Sequence, residues 1–530
     1  MRKQNLLRVV ALATAMTMGL ACLSGCGKSA TKEEKKEESK KTETENTLVY
    51  GSGDYTAINP ALYEHGEINS LIFAGLVAHD ENNEIVPALA DSWDYDEDDC
   101  EWTFKLKEGL TFQDGEPVTS KDVKFTLESI IDPKNNSEIV SNYQDIEEIE
   151  CEDDTTVDIK LKKENVAFLD YMTIGILPEH LLAEKDLATD EFNQKPIGAG
   201  PYKLTDWDEG QSITLERFDD YYAGTPKIEK VIFKIVEDSD ARLLQLQSGD
   251  IDMAQLTPKD AKAYKENNKD GKVYNMKTAD YRAIAYNFSG SELFKKYPEL
   301  SNILSYGINR EAIVKGTLLG EGQVAYSPIQ KNKFNDDSIE KFDYNPDKMK
   351  ELLEKDGWKT NALGWYEKDG TELSFTINAM ADDQLRVDMA NMCAEMLKAQ
   401  GVRVQAEAKK ELDWAGQDAC IIGWGSPFDA DDHTYKIFSS DAGDNYTGYA
   451  NKKVDAALEK ARTTSDEKER KDAYSEFLNV MTDNMPYTFI AYIDADYAMN
   501  GKVKGITENT LLGHHGVGIF YNIADWEIEQ

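Results

Sequence analysis

The sequence predicts a mixed α/β protein whose folded part contains at least two lobes. Strand-like and helix-like segments alternate along the 530 residues without an internal repeat, a pattern typical of α/β and α+β proteins. The folded part is expected over 47–530, which is longer than one hydrophobic core usually serves. No segment beyond the N-terminal region approaches ~18 uninterrupted apolar residues, so no membrane span is predicted in it.

The first predicted element is an N-terminal export signal over 1–25. A basic start precedes an apolar run over 9–20 and a small-residue cleavage site, which are the three parts of a secretory signal. The run is shorter than the ~20 residues that cross a bilayer. The segment Leu23-Ser-Gly-Cys26 resembles a bacterial lipobox, which implies lipidation of Cys26. The alternative is an ordinary signal peptide with an incidental cysteine.

The second element is a charged linker over 26–46. This segment consists almost entirely of Lys, Glu, Ser and Thr. Such a composition buries too little apolar surface to offset the entropy of ordering the chain. We therefore expect a disordered spacer, with an alternating-charge helix as the alternative.

The body then alternates strands and helices. Strands are predicted at Leu48–Gly51, Trp102–Lys107 and Val157–Leu161, because apolar and polar residues alternate in them or because an apolar run ends at a turn. Thr119 followed by Asp122 predicts the start of an amphipathic helix. Further helices are predicted at 241–247, 300–304, 310–317, 346–355 and 384–400, with several acidic ones over 453–485.

Composition excludes one class of function and weakens another. The chain has 99 acidic and 59 basic residues, a formal net charge of -40, and so lacks the basic footprint that nucleic-acid binding requires. It also lacks the Gly-x-Ser-x-Gly and His-Glu-x-x-His motifs of common hydrolases. We therefore expect no enzyme and no cofactor, with a secreted hydrolase as the weaker alternative.

The cysteines of the body show no metal-binding spacing. Cys100, Cys151, Cys393 and Cys420 form neither a CxxC nor a Cys/His pattern. An exported protein can form disulfides, and Cys100–Cys151 and Cys393–Cys420 are conceivable pairs. Free buried thiols are the equal alternative.

Five motifs, taken in order, resemble one family. The segment Trp102–Val123 is similar to the hallmark of the family 5 extracellular solute-binding proteins, the oligopeptide-, dipeptide- and nickel-binding components of ABC importers. Gly198-Ala-Gly-Pro-Tyr202 resembles the Gly-Pro-Tyr turn of that family, and Leu246–Asp252 resembles its Ser-Gly, acidic, Ile-Asp step. Tyr344–Trp358 resembles a helix ending in Gly-Trp, and Gly423-Trp424 opens the segment where the family has a ligand-contacting loop.

The resemblance implies a two-lobed periplasmic-binding-protein-like fold with a hinge. Lobe I is expected over 47–280, with a small extra subdomain over 77–196, and lobe II over 281–494. A C-terminal return to lobe I is expected over 495–530. The implied function is capture of a peptide-like solute in the interlobe cleft and its delivery to a membrane permease and ATPase. We expect a monomer, lipid-anchored to the outer face of the cell membrane.

The resemblance also implies which residues meet the solute. The first cleft loop falls on Tyr63, Glu64 and His65, where Glu64 either binds a cationic group such as a peptide amine or is an ordinary surface side chain. Tyr143 matches a position where an aromatic ring lies along the ligand, and lobe packing is the alternative.

A crossover strand and a loop supply the remaining expected contacts. Tyr281 and Arg282 lie at the proposed crossover, where Arg282 either binds a carboxylate or pairs with a protein acid. In the loop that begins at Gly423, Trp424 is expected to line the cleft, and Asp429 is expected to hold a peptide amine. The loop is about one residue shorter than in peptide binders, which leaves the role of Asp429 open.

A metal-bound solute is the main rival to a peptide. Asp429, Asp431, Asp432 and His433 are close in sequence, but their spacing lacks the Gly and distal Glu of an EF-hand loop. The pair His514-His515 suggests a nickel site or a simple turn. The sequence predicts no metal site and leaves three ligand classes open on this scaffold: peptides, a nickel or other metal chelate, and an oligosaccharide.

Overall fold

The computed structural model describes residues 46–63 and 66–529. The predicted signal peptide, almost all of the linker, the lipidation site Cys26 and two of the expected cleft residues, Glu64 and His65, lie outside the described residues. None of the described helices combines the length and the apolar character that a bilayer span needs. The described body belongs to a single compact unit of the chain.

The described chain forms 22 strands and 15 α-helices, as expected for a mixed α/β protein. The strands are β1 (Thr47–Ser52), β2 (Val77–His79), β3 (Ile85–Pro87), β4 (Ala90–Asp96), β5 (Glu101–Leu106), β6 (Ile146–Cys151), β7 (Thr156–Leu161), β8 (Tyr202–Asp208), β9 (Ser212–Arg217), β10 (Lys230–Ile235), β11 (Met253–Leu256), β12 (Lys272–Tyr286), β13 (Gln323–Val324), β14 (Lys359–Thr360), β15 (Tyr366–Lys368), β16 (Thr371–Glu372), β17 (Ser374–Met380), β18 (Arg403–Lys409), β19 (Ala419–Trp424), β20 (Tyr487–Met499), β21 (Val503–Lys504) and β22 (Glu527–Ile528). The helices are α1 (Asn69–Ile72), α2 (Ser120–Ile131), α3 (Val140–Tyr143), α4 (Phe168–Tyr171), α5 (Glu179–Leu182), α6 (Ser239–Ser248), α7 (Pro258–Asn267), α8 (Glu292–Lys296), α9 (Leu300–Ser305), α10 (Arg310–Thr317), α11 (Pro346–Lys355), α12 (Gln384–Lys398), α13 (Tyr435–Phe438), α14 (Lys452–Arg462) and α15 (Glu467–Met481).

Local signals placed several of these elements correctly. The helix predicted to start at Thr119 is α2, and a capping box joins Thr119 to Asp122, whose Oδ2 accepts the Thr119 N–H at 2.8 Å. The helices predicted at 310–317 and 346–355 are α10 and α11 with the same bounds. The three predicted strands lie within one residue of β1, β5 and β7.

One large mixed sheet joins the two ends of the chain. Its strand order is β18-β17-β19-β12-β20-β11-β1-β10-β9-β8, with β13 beside β20. The long strands β12 and β20 pair antiparallel from Lys272↔Met499 to Ala285↔Tyr487, with irregular register near Tyr281. These two strands therefore connect the two halves of the sheet.

A second, four-stranded sheet has the order β4-β5-β7-β6 and lies within the predicted subdomain of lobe I. The helix α2 packs on its strands β6 and β7. The buried apolar residues of β5 and β7 alternate with less buried polar ones, as a sheet covered on one face requires.

The buried apolar side chains form two large clusters. One is drawn from residues between 48 and 276 together with residues between 495 and 526, and the other from residues between 281 and 493. A small third cluster packs around α6 and α7. Two cores of this kind agree with the expectation of more than one lobe. The exact lobe boundaries stay a prediction.

The four cysteines of the body are free thiols, so neither conceivable disulfide is present. Cys393 and Cys420 are buried, and burial raises the pKa of each thiol to about 12. Both lie within the second large core, where a free cysteine packs as a small apolar side chain.

Candidate ligand-binding site

A cavity of about 390 Å³ lies between segments that carry the first large core and the loop 425–433, which follows β19 of the second core. One wall comes from the segments 60–88, 139–143, 170–175 and 221–222, and a second from 425–433. The C-terminal segment 510–521 completes the lining. A concave site built from several distant segments is the usual form of a small-molecule site.

Aromatic side chains supply much of the lining. The lining aromatics are Tyr63, Phe73, Tyr143, Tyr171, Tyr221, Tyr222, Phe428 and Tyr521. Tyr143, at the end of α3, is buried, and its hydroxyl donates to the backbone carbonyl of Tyr171 at 2.7 Å. Tyr171, at the end of α4, in turn donates its hydroxyl to Asp431 at 2.7 Å. These rings are therefore held in place by hydrogen bonds before any solute arrives.

The polar lining is acidic. It contains the carboxylates Asp80, Asp170 and Asp432 and the imidazoles His79, His433 and His514, and no lysine or arginine among the described residues. His79 Nε2 and Asp170 Oδ1 are hydrogen-bonded at 2.9 Å. Such a lining favours a solute that carries positive charge over one that carries only negative charge.

The wall after β19 is fixed by a close backbone approach. Gly425 has a φ of 154°, and a Cβ there would lie 1.9 Å from the carbonyl oxygen of Ala279, so only glycine fits. The Gly425 N–H donates to His433 Nδ1 at 2.9 Å, and its carbonyl accepts from the backbone N–H of His514 at 2.8 Å. This one residue positions two of the three cavity histidines.

A buried charge cluster lies behind the histidines. Asp280 contacts Arg282 Nη1 and accepts a hydrogen bond from His514 Nδ1 at 2.8 Å. Burial alone would raise the pKa of Asp280, but the attraction of Arg282 and the hydrogen bond from His514 hold it well below its usual range. Burial lowers the pKa of His514 to about 4, against the opposing pull of Asp280. His514 is therefore neutral near pH 7.

Two of the expected contact residues line the cavity. Tyr63 and Tyr143 are both in its wall. Tyr281 and Arg282 are not among the lining residues: the Tyr281 ring packs against Phe489 at 5.1 Å, and Arg282 is buried against Asp280. Of the two alternatives for Arg282, pairing with a protein acid is the one observed.

Trp424 and Asp429 lie behind the cavity wall. The Trp424 ring is 5.5 Å from the ring of His433 and 5.9 Å from that of His514, so it supports two lining residues without lining the cavity itself. Both oxygens of Asp429 accept hydrogen bonds from Arg470 at 2.6 Å. A carboxylate held bidentately in this way is already neutralised, so Asp429 is poorly placed to anchor a peptide amine.

The metal site considered for the loop after β19 is not formed among the described residues. Within residues 46–63 and 66–529, no group of three or more His, Cys, Asp or Glu side chains is arranged to hold a metal ion. Asp431 accepts hydrogen bonds from Arg462 and Tyr171, so it too is occupied. Asp432 and His433 do line the cavity.

Sequence reasoning missed His79, Asp170 and Phe428. The His79 ring stacks on Phe428 with centroids 3.8 Å apart and planes 6° apart. The available signal was a carboxylate inside the otherwise apolar run Phe168-Leu-Asp-Tyr171. That signal identifies an unusual residue but not its neighbours, because His79 is 91 positions away along the chain.

Comparisons with known proteins agree with this architecture. The chain is 30% identical over 557 aligned positions to the oligopeptide-binding protein AppA of Bacillus subtilis, covering 99% of each chain. It is similar to the structure of NikZ from Campylobacter jejuni in complex with Ni(L-His), with a TM-score of 0.87 and 37% identity over 91% of this chain and 99% of that one. The structure of B. subtilis AppA with a nonapeptide matches with a TM-score of 0.83 and 31% identity, again over 91% and 99%.

These matches confirm the predicted two-lobed binding-protein fold. The family model described as bacterial extracellular solute-binding proteins, family 5 Middle, matches residues 84–446, which is more than half of the chain. The protein belongs to the family 5 bacterial extracellular solute-binding proteins.

Proposed function

We propose that this protein captures a small peptide-like solute and delivers it to the permease of an ABC importer. The observation that carries the proposal is the cavity, which lies between segments of the first large core and the loop that follows β19 of the second core. Movement of the two lobes about β12 and β20 would open and close such a cavity. The protein itself performs no chemistry in this proposal, and the ATPase subunits supply the energy.

The size of the cavity favours a short solute. Its volume of about 390 Å³ lies near the lower end of the ~300–1,000 Å³ typical of small-molecule sites. An extended nonapeptide spans about 30 Å. A tripeptide of about 10 Å matches the cavity better than a nonapeptide does.

A metal chelate is the second candidate solute. It is favoured by the three imidazoles in the lining and by the similarity to NikZ, whose structure contains Ni(L-His). A chelating ligand already supplies part of the donor set of its metal, so a chelate needs fewer donors from the protein than a bare ion does. The lack of a preformed metal cluster in the described residues therefore does not count against it.

The cellular location and the lobe boundaries of the protein are also part of the proposal. The signal over 1–25, lipidation of Cys26 and the linker over 26–46 would hold a monomer near its permease at the outer face of the cell membrane. Lobe I would comprise 47–280 and 495–530, with its subdomain over 77–196, and lobe II 281–494. Support comes from the sequence of the N-terminal segment and from the residue ranges of the two cores.

A calorimetric panel tests the solute class. The probes are trialanine, a soluble nonapeptide and a 1:1 complex of Ni(II) with L-histidine, and native mass spectrometry of the purified protein identifies any retained solute. We expect trialanine or the nickel complex to bind and the nonapeptide to bind weakest. Binding of none of the three, or chemical conversion of any, would contradict the proposal.

A matched pair of variants tests the cavity. Tyr63→Ala removes a lining ring, and we expect about fivefold weaker binding because an aromatic contact with a bound group contributes about 1 kcal/mol. Tyr344→Ala removes a ring that is 46% exposed and lies outside the cavity lining. Equal affinities for the two variants would place the solute elsewhere.

A further inference from the structure

Asp170 differs from the other carboxylates near the cavity in its partners. It lies in α4, lines the cavity and leaves only 17% of its side chain exposed. Among the described residues, its side chain contacts a single hydrogen-bond partner, His79, and no lysine or arginine. A buried carboxylate normally has a fixed cation or several donors.

The neighbouring buried acids do have fixed cations. Asp429 is paired with Arg470, and Asp431 is paired with Arg462. Neither of these two acids lines the cavity, whereas Asp170 does. The protein therefore neutralises these two acids behind the wall, whereas Asp170 lies in the wall with no lysine or arginine as its partner among the described residues.

His79 orients Asp170 without replacing such a cation. Its ring is fixed by stacking on Phe428, and its Nε2 is bonded to Oδ1 of Asp170. This contact leaves Oδ2 of Asp170 for another partner. An imidazole is also not a permanent charge, unlike the guanidinium groups that hold Asp429 and Asp431.

The pKa of Asp170 agrees with its lack of a fixed cationic partner. Burial raises its pKa, and the hydrogen bond from His79 lowers it in part. The negative charges of Asp429 and Asp432 raise the pKa further. A positively charged group bound beside Asp170 would lower this pKa and so stabilise the charged carboxylate.

We propose that Asp170 selects solutes that carry a positively charged group, by supplying the carboxylate to which that group binds in the cavity. The inference rests on the proposed solute-binding function and names the charge that the site prefers. The cationic group is either an ammonium of a peptide-like solute or the cationic centre of a metal chelate. Both would meet the same free oxygen of Asp170.

The test compares two probes whose α-amino group is either a charged ammonium or a neutral acetylated amide. Trialanine and N-acetyl-trialanine are titrated calorimetrically into the wild type and into Asp170→Asn, with Ni(II)–L-histidine as a separate arm. For the wild type we expect at least tenfold tighter binding of trialanine than of its acetylated form. For Asp170→Asn we expect that ratio to fall towards one. Should the nickel complex alone bind, its affinity is expected to fall at least tenfold in Asp170→Asn, which would assign the cation to a chelate.

Two further variants separate charge selection from structural damage. Asp472→Asn changes an exposed carboxylate that lies outside the cavity lining and pairs with Lys468, and should keep the wild-type ratio. Asp170→Glu keeps the charge and should keep a preference for the cation. A wild type without charge preference, or an Asp170→Asn variant that retains it, would overturn the inference while leaving solute binding intact. Binding of no probe would overturn the proposed function itself.

Discussion

An ion-pair network joins the two cores beside the cavity, and we expect it to stabilise the closed form. Arg462 is 1% exposed and contacts Asp431 at 2.5 Å and Asp145 at 3.5 Å. Asp145 lies in the segment before β6, in the predicted subdomain of lobe I, whereas Arg462 ends α14 in the predicted lobe II. Close by, Lys163 contacts Glu459 at 2.5 Å.

The perturbation is Asp145→Asn, which removes one charge of this network and lies outside the cavity lining. Two charges 3.5 Å apart attract by about 5 kcal/mol at an effective dielectric constant of 20. Most of that attraction is offset by desolvation of the buried pair. Arg462 also keeps Asp431 as a partner, so no unpaired charge is left. A net loss of about 1.4 kcal/mol for the closed form is therefore reasonable, which corresponds to about tenfold.

Because only the closed form encloses the solute, this loss appears as weaker apparent affinity. We expect calorimetry with the tightest-binding of the three proposed probes to give a Kd about tenfold above that of the wild type. Small-angle X-ray scattering of the solute-free variant should show a larger radius of gyration, and saturating solute should restore the wild-type value. The matched control is Asp472→Asn, which breaks an exposed pair with Lys468 and should change neither quantity.

The reasoning would be refuted by an Asp145→Asn variant with a Kd within twofold of the wild type and an unchanged radius of gyration. That result would mean that the contact between Asp145 and Arg462 is equally present in the open and closed forms. The lobe boundary would then have to be drawn with the subdomain and α14 on the same moving body.

Three further outcomes follow from buried groups. Asp429→Asn leaves Arg470 buried without its anionic partner, so we expect unfolding in urea to show a loss of about 3–5 kcal/mol; a loss below about 1 kcal/mol would contradict this. Burial raises the pKa of Glu67 to about 7 from 4.5, partly opposed by hydrogen bonds from Tyr50 and Tyr497, so the folded form holds this proton more tightly than the unfolded form does. The stability contribution of Glu67 is therefore present below pH ~4.5 and lost as the pH rises through about 7, and Glu67→Gln should gain melting temperature relative to the wild type at pH 8 but not at pH 4. Trp424→Ala removes the ring behind two cavity histidines and should weaken binding of the best probe by more than ~1 kcal/mol in calorimetry; unchanged affinity would separate this ring from the site.

The elements that sequence reasoning located are those whose signals are local. The bounds of α10 and α11 follow from capping and apolar periodicity within about ten residues. The pairing of β12 with β20 was not predicted, because its partners are more than 200 residues apart, as in Lys272↔Met499. Burial along most of both strands also removes the alternating pattern that identifies a half-exposed strand.

The residues of the candidate site also fall into those that the sequence located and those that it did not. Tyr63 and Tyr143 were reached through the family resemblance, and both line the cavity. The resemblance placed Arg282 and Asp429 in contact with the solute because their residue types suit a carboxylate and an amine. What it could not supply was their partners, since Asp280 and Arg470 occupy those charges in the folded protein. A charged residue is available to a solute only where the fold leaves it without a counter-charge.

Because of this condition, the net negative charge of the whole chain says little about the charge of the preferred solute. The carboxylates that line the cavity are the informative charges. The net charge of -40 is a sum over the whole chain, and salt screens the interaction between exposed charges that lie more than about 10 Å apart. Inside the cavity the dielectric constant is lower and the charges are few, so a single carboxylate without a fixed cation decides the sign of the preferred solute. Asp170 meets this condition, whereas Asp429 and Asp431 do not. The charge preference of this receptor therefore depends on which acids the protein leaves unpaired, not on how many acids it contains.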